Sequence, residues 1–568
     1  MKRSLTALLL TATLLPTGTV LAAEQGNTPT AIEQGTATPE RVPIPPAVQK
    51  TMDKLFVLQP AFKQLHIQAS SIDGTSKIFC IALADDSKEG EIGSSAYLTF
   101  DMKTGELRSF EIKIKEWASK KKPSTILAKE KAEQFLVSWL GAEGRKQFGE
   151  STSNGSSLST MYDKDQNPTT WAERQVEFPL VLNNIPVYSR EFLRIEVDGA
   201  GRIVKFEYNP PNLKNIAVPT TAHIRSAEDM KKQLITADSL YLQYMEKQPE
   251  KYDGRPNEMK ETKQVLQYHL RNYGFFDAQT GKLISVMTGE ESKPASFFSD
   301  PWKVVQIHPQ GHKLVARSEK EAAEVISKAL DVDFSQMQLQ KRDDPPVSGE
   351  GQDSYVNYSW TNDKGINISA SGEKASGWIT YAALDISSEN SHPATVSKEE
   401  AFTTALAFIE KYAGPTAKEL AVQHVTFEPE QPPAWVDKEK VPIHVKDKQP
   451  DYHFMFLECY EGIPVRDRLH TVTVDSATGK ISHFSLDPQK EALSLPVPQG
   501  IVSKEKAVES FLQNKKLKLQ YIWPSYFEQQ GPAPILTYTW EDSENAADYV
   551  DAFTGNYVKI PIEWNDEE

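Results

Sequence analysis

Two short stretches set side chains at metal-ligand spacing. "HPQGH" places His308 and His312 four residues apart, the spacing at which two imidazoles share one helix face and take zinc. Pro309 and Gly311 between them forbid a regular helix, and no H-E-x-x-H is present, so the stretch reads as a surface loop. "DKDQNPTTWAER" offers Asp163, Asp165 and Asn167 as the start of a calcium loop. It then has Pro168 where the loop needs Gly and Arg174 where it needs a bidentate Glu, so the calcium reading is the weaker one. No G-x-S-x-G elbow, phosphate loop or G-x-G-x-x-G after a strand occurs. With 78 acidic residues, any pair chosen as a glycosidase acid and base would be arbitrary. The expectation is therefore a protein that is not an enzyme, with no catalytic, cofactor-binding or metal residue singled out and no cofactor.

Cys80 and Cys459 are the two cysteines. They lie in the apolar runs "IFCIAL" and "MFLECY" and read as buried free thiols, with a disulfide between them as the alternative. Trp360 and Trp540 close strand-like runs, "YVNYSW" and "ILTYTW". Core anchoring is the first reading for both, and stacking of a sugar or peptide on an exposed sheet face is the second. Exposed sheet edges are a further place where a peptide could add as a strand.

The chain carries 63 Lys and Arg against 78 Asp and Glu, a net charge of −15. That excludes the basic faces of nucleic-acid binders and leaves a solvated acidic surface or an affinity for basic partners. Residues 1–22 have the three parts of a secretory signal: basic Lys2 and Arg3, an apolar run from Leu5 to Leu15, and small or aliphatic residues at Val20-Leu21-Ala22. No later stretch approaches the roughly 20 apolar residues of a membrane span. The expected location is the extracellular or cell-wall space, and the low cysteine count suits a Gram-positive bacterium. Residues 23–46, rich in Thr, Pro, Gln and Gly, read as a disordered leader.

Six amphipathic segments stand ready to position the rest. They are "AVQKTMDKLF" from Ala47, "STILAKEKAEQFLVSWL" from Ser124, "RSAEDMKKQLI" from Arg225, "RSEKEAAEVISKAL" from Arg317, "VSKEEAFTTALAFI" from Val396 and "VSKEKAVESFL" from Val502. Ser318 with Glu321, and Ser397 with Glu400, carry the S-x-x-E capping-box signature. Between the helices lie alternating runs such as Leu193–Val197 and Val472–Val474, the mark of strands buried on one face. Many end in one turn: "DMKTG" at Gly105, "DAQTG" at Gly281, "DSATG" at Gly479 and "DAFTG" at Gly555, with "DGAG" at Gly201 one residue shorter. Asp bonds the amides of its own turn and Gly takes the left-handed position, a better account of these residues than calcium binding. "ASGWITYAAL", near Gly377, has lost the turn Asp.

"IPVYSREFLRIEVDGAGRIVKFEY" from Ile185 and "IPVRDRLHTVTVDSATGKISHFSL" from Ile463 stand 278 residues apart, so Pro186 matches Pro464, Arg190 matches Arg468 and Gly201 matches Gly479. Helices and turns follow in the same order on both sides. The expected fold is α+β: tandem units, each an amphipathic helix on a small antiparallel sheet, in two duplicated halves at 47–300 and 301–568, three units to a half.

The caps "SKEEAF" and "SKEKAV", then "GIPV", an alternating strand and "VDSATGKISHF", resemble the bacterial YcdB/YcdC repeated-domain family, among the PepSY-like modules. The resemblance covers nearly all of the chain beyond the signal. It is strongest at Ser397–Ala401, Gly462–Phe484 and Ser503–Phe511, and weaker around 66–110 and 355–385. It implies an exported, non-enzymatic protein that restrains secreted peptidases or binds peptides in the wall environment, and it supplies no catalytic residues. The partner would be an unknown protein or peptide, a secreted peptidase among the candidates, with no nucleic acid. The alternative is a structural or interaction protein of the cell envelope or spore surface, weakened by the lack of a recognisable surface-layer anchor repeat. An enzyme with an unrecognised site is the least favoured reading.

Overall fold

The computed structural model describes residues 41–561, apart from 74–76, 89–90, 154, 189–191, 210, 212, 215, 248–262, 293–302, 340–354, 364, 387–393, 414–417, 426–431, 442–450, 488–493, 528 and 542–545. The signal peptide, most of the leader and Arg190 lie outside the described residues. The leader was expected to be disordered as far as residue 46. Its last residues are instead tied down: Val42 N–H donates to the Ser70 carbonyl at 3.2 Å, and Ser70 Oγ donates to the Val42 carbonyl at 2.7 Å.

The six expected helices form, and six α-helices are present among the described residues: α1 (Pro46–Leu58), α2 (Thr125–Arg145), α3 (Ala227–Leu234), α4 (Glu319–Leu330), α5 (Lys398–Tyr412) and α6 (Lys504–Asn514). Proline opens α1. A serine hydroxyl caps each of the others, Ser124, Ser226, Ser318, Ser397 and Ser503, accepting from the amide three residues on. Glu400 completes its box by accepting from the Ser397 amide at 2.9 Å. Glu321 does not; its carboxylate takes the Arg317 amide instead, at 2.8 Å. Each helix buries one stripe, such as Ala128, Ala132, Phe135, Leu136 and Trp139 on α2.

The sheets are larger than one per unit, which corrects the expectation of small separate sheets. The first has eight antiparallel strands, in the order His66–Asp73, Ile78–Ala84, Ser95–Asp101, Leu107–Lys113, Ile203–Tyr208, Leu193–Asp198, Pro168–Glu177 and Ser156–Tyr162. The strands following α1 and α2 thus share one sheet, joined where Phe206 faces Phe110. The strands following α4 and α5 make a second run: Tyr355–Thr361, Ile366–Glu373, Ile379–Ile386, Ile481–Ser485, Ile463–Val474, Tyr452–Tyr460 and Glu419–Val425. Its seam sets Phe484 opposite Ala382. The physical reason is common to both: a short hairpin stack leaves a row of unpaired backbone groups at its edge, and fusing two edges satisfies both.

The strands after α3 and α6 are interleaved across residue 300. Gln264–Leu270 pairs with Ala546–Asp551, and Phe275–Asp277 pairs with Ile535–Trp540. The two "IPV" segments each add a parallel strand to the other side of the chain: Val187 pairs with Tyr521 on Leu517–Ile522, and Val465 pairs with Tyr244 on Leu240–Glu246. Through the last pairing the second run becomes part of a 13-stranded sheet, and Leu517–Ile522 lies in a six-stranded one.

The D-x-x-T-G turns repeat atom for atom. In the Asp475 turn the carboxylate accepts from the Ala477 amide (3.1 Å), the Thr478 amide (2.6 Å) and the Thr478 hydroxyl (2.7 Å). Asp101, Asp277 and Asp551 do the same. Gly479, at φ +71°, has the Val396 side chain 3.1 Å from where a Cβ would sit, so the turn is pressed on the approach to α5. At Gly105, Gly281 and Gly555 a Cβ would likewise meet Ala47 (2.6 Å), Gln233 (2.5 Å) and Val502 (3.4 Å), each at or beside its own helix. Where the turn Asp is missing, Glu373 keeps the hairpin, and Gly377 still reaches the start of α4 by accepting the Ala316 amide at 2.8 Å.

Phe206 is fully buried and its ring meets those of Phe110, Phe135, Trp139 and Tyr208. Phe206→Ala should lower stability by about 3–5 kcal/mol, read as a shifted midpoint in urea unfolding; a loss under about 1 kcal/mol would show that the seam is not part of the core.

Candidate functional site

The residues singled out from the sequence do not converge. In the His308–His312 loop the backbone docks on α5: the His308 amide donates to Glu410 Oε1 at 3.0 Å, and the His312 amide to the Lys411 carbonyl at 3.1 Å. Asp163 closes a hairpin turn, accepting from the amides of Asp165 (2.9 Å) and Asn167 (2.8 Å), which uses it as the calcium pattern would not. Its carboxyl is held below the ordinary range by the Asn167 side chain first, then by these amides. Among the described residues no three His, Cys, Asp or Glu side chains are placed to share a metal ion.

Cys80 and Cys459 are both free, on strands of different sheets, and half-buried rather than buried. Burial pushes the Cys459 thiol up to about 12. Trp360 and Trp540 are 4% and 1% exposed, so core anchoring holds and the stacking reading fails for both. Trp540 Nε1 donates to the Asn272 carbonyl at 2.7 Å.

What the sequence had left general, an exposed sheet edge, takes a specific place. The sheet ends differ in how they are protected. His66–Asp73 is covered by Arg41 and Val42, with Arg41 Nη2 donating to the Ile67 carbonyl at 2.6 Å. Gln338–Leu339, Leu283–Ile284 and Val181–Leu182 are two residues long. Lys303–Gln306 is short and carries Lys303, and Tyr557–Pro561 carries Lys559 and Pro561. Brevity, lysine and proline are the usual guards of a strand edge. Ser156–Tyr162, "SSLSTMY", has none of them: seven residues, no charge, no proline. It pairs with Pro168–Glu177 on one side and with no described strand on the other.

Its side chains are unusually open. Leu158 is 53% exposed, Met161 46% and Tyr162 47%. Leu158 is opposite Ala172 and shares its sheet face with buried Arg174, whose Nε donates to the Pro123 carbonyl at 2.8 Å. Met161, in step with Ser157 opposite Glu173, lies on the outer face. The strand beneath is held rigidly: Trp171 Nε1 donates to the Ile114 carbonyl at 3.0 Å and the Ala172 amide to the Ser119 carbonyl at 2.9 Å.

The outer face two and three strands in from this edge, on Leu193–Asp198 and Ile203–Tyr208, is charge-laced. Lys205 reaches Glu207 at 3.2 Å and Glu196 at 3.7 Å, and Arg194 also meets Glu207. Glu173, on the intervening strand Pro168–Glu177, is buried beside Glu196. Burial first, then the hydrogen bond and charge of Glu196, push its carboxyl up to about 8, so it is protonated and neutral near neutral pH. A second buried polar group lies after α5, where His470 Nε2 stands 3.6 Å from Glu458 Oε1 and Arg468 Nη1 donates to Asp487 at 2.9 Å. Both pairs are largely buried, and the group reads as structure.

Residues 335–488 match the family model of the YcdB, YcdC repeated domain. That span contains α5, the "GIPV" strand and the Asp475 turn. A solved structure, the C-terminal domain of Bacillus megaterium YpeB, aligns over 43% of this chain and 98% of its own length at 16% identity, with a TM-score of 0.24. No curated protein matches the sequence.

Glu173 gives the edge region a pH signature. Its folded value near 8 stands above the ordinary 4.5, so the folded state binds the extra proton and stability falls as pH rises between about 4.5 and 8. Glu173→Gln should abolish that fall and unfold at higher urea than the parent at pH 9. A parent that is no less stable at pH 9 than at pH 5, or a variant that loses stability equally, would show that the carboxyl is not held protonated.

Proposed function

We propose that this chain, which carries a YcdB/YcdC repeated domain at residues 335–488, is an exported, non-catalytic binding protein of PepSY-like modules. In this reading it captures an extended peptide segment, such as one of a secreted peptidase, along the edge Ser156–Tyr162. The carrying observation is that edge: the longest uncovered sheet end among the described residues, seven residues without charge or proline, bearing exposed Leu158, Met161 and Tyr162. Strand addition takes its affinity from main-chain hydrogen bonds and its selectivity from alternate side chains, and both are on offer here. Leu158 and Tyr162 would meet apolar partner residues on the helix side of the sheet, and Met161 would meet one on the outer side. Protonated Glu173 spares the outer face one negative charge beside the bound strand. Restraint of a peptidase would then be occlusion without turnover. The signal-like residues 1–22 support export, and the matching order of helices, "IPV" strands and turns supports descent by duplication of a three-unit half.

The test is a titration of the chain from residue 23 onward against the peptidases secreted by its own organism, following residual activity. Saturable inhibition is expected, and Leu158→Lys should weaken it at least tenfold while leaving the thermal midpoint unchanged, since surface substitutions usually stay within about 0.5 kcal/mol. No inhibition at excess protein, with the chain retained on isolated cell walls, would overturn peptidase restraint in favour of an envelope role. Inhibition untouched by Leu158→Lys would move the site elsewhere.

A further inference from the structure

We infer that this protein has a second, dimeric form, in which an exchange now made within one chain is made between two. The observation is that many of the contacts joining residues 41–292 to residues 303–561 come in reciprocal pairs. The Ala278 amide donates to the Leu536 carbonyl at 3.0 Å, and the Ala552 amide to the Leu266 carbonyl at 2.9 Å. Tyr268 Oη donates to the Val502 carbonyl at 2.8 Å, and Tyr538 Oη to the Arg225 carbonyl at 2.9 Å. Tyr244 Oη donates to the Pro496 carbonyl at 2.9 Å, and Tyr521 Oη to the Pro219 carbonyl at 2.5 Å. Lys231 on α3 donates to the Leu512 and Lys515 carbonyls at the end of α6, while Lys504 on α6 donates to the Leu240 carbonyl just beyond α3. The strand pairings follow suit: the hairpin after Phe275 sits on Ile535–Trp540, and the hairpin from Ala546 sits on Gln264–Leu270.

Helix and hairpin travel together in this exchange. The Arg225 amide donates to the Ala278 carbonyl at 2.9 Å, and the Val502 amide to the Ala552 carbonyl at 2.8 Å. Each body therefore takes its helix and hairpin from one side of residue 300 and its two central strands from the other. Neither side can complete a body alone: without its counterpart it would expose the edges of Gln264–Leu270 or Ile535–Trp540 and strand buried Tyr244, Tyr521 and Trp540 at an open face. Such a set of contacts requires one copy of each side and is indifferent to whether one chain supplies both. Which form wins is a matter of effective concentration: a short connection acts like a partner at about millimolar, so the monomer dominates in dilute solution and the dimer forms when chains refold at comparable concentration.

The occupant of the exchange is a second copy of this chain, and the test uses the whole protein with a specific protease site placed between Ser292 and Lys303. The protein is unfolded in denaturant, refolded dilute and refolded near millimolar, and its mass is measured before and after cleavage. Dilute refolding should give a monomer whose two fragments still migrate as one particle of unchanged mass. Concentrated refolding should give a dimer that falls to half its mass on cleavage, because only the two connections hold its bodies together. The same result is expected when two differently tagged copies are refolded together, with the tags co-purifying until the connection is cut. A chain that stays monomeric at every concentration, a dimer that keeps its mass after cleavage, or a cleaved monomer that separates into two fragments would each overturn the inference.

Discussion

The constraint on which this structure depends is the unpaired strand edge. A helix on two or three strands buries one face well enough, but it leaves a row of N–H and C=O groups at each side of the sheet. Each join in this molecule answers that cost. Ile203–Tyr208 closes on Leu107–Lys113, Ile481–Ser485 closes on Ile379–Ile386, and the strands after α3 and α6 close on one another. The segments "IPVY" and "IPVR" then cross over as parallel strands on Leu517–Ile522 and Leu240–Glu246. What repeats along the chain is therefore a unit built to be finished by a neighbour.

The rigid part of four of the six units is the clasp between the helix start and a D-x-x-T-G turn. The Asp carboxylate spends its acceptor capacity on two amides and a hydroxyl, which fixes the turn, and the glycine lets the turn lie against the residues leading into the helix. Because the clasp holds helix to hairpin, the strands between them are free to be supplied from elsewhere. This explains how α3 and α6 keep their own hairpins while exchanging the strands beneath.

Helices and turns were legible in the sequence because their signals are local. A serine cap precedes five of the six described helices, and the D-x-x-T-G spacing marks four hairpins with the residues that build them. Strand partners were not legible. A period of two says which face of Leu240–Glu246 is buried, but it cannot say that Val465 lies alongside Tyr244. For the same reason Trp540 could be read from the sequence as a stacking surface, although Asn272 and the core enclose it. The open edge was hidden too. Its one signal is an absence, a seven-residue strand without Lys, Glu, Asp or Pro in a chain where charge is common, and that absence means something only once its neighbours are known to be guarded.

An unguarded edge is ordinarily a hazard, since it templates pairing with another copy of itself. Here the whole-molecule charge of −15 opposes the approach of two copies, while it attracts any segment of opposite sign. Repulsion acts at the encounter, before backbone groups come within hydrogen-bond reach, so it discriminates between partners more than it weakens the pairing once made. The edge can then stay free of lysine and proline, residues that would protect it from self-association at the cost of the main-chain donors and apolar contacts that the proposed peptide would use. Exchange between two chains meets the same repulsion at the encounter, but its contacts, once made, are buried, reciprocal and more numerous than those of one strand. The acidic surface and the bare strand are in this sense one device: the first does the guarding that the second omits.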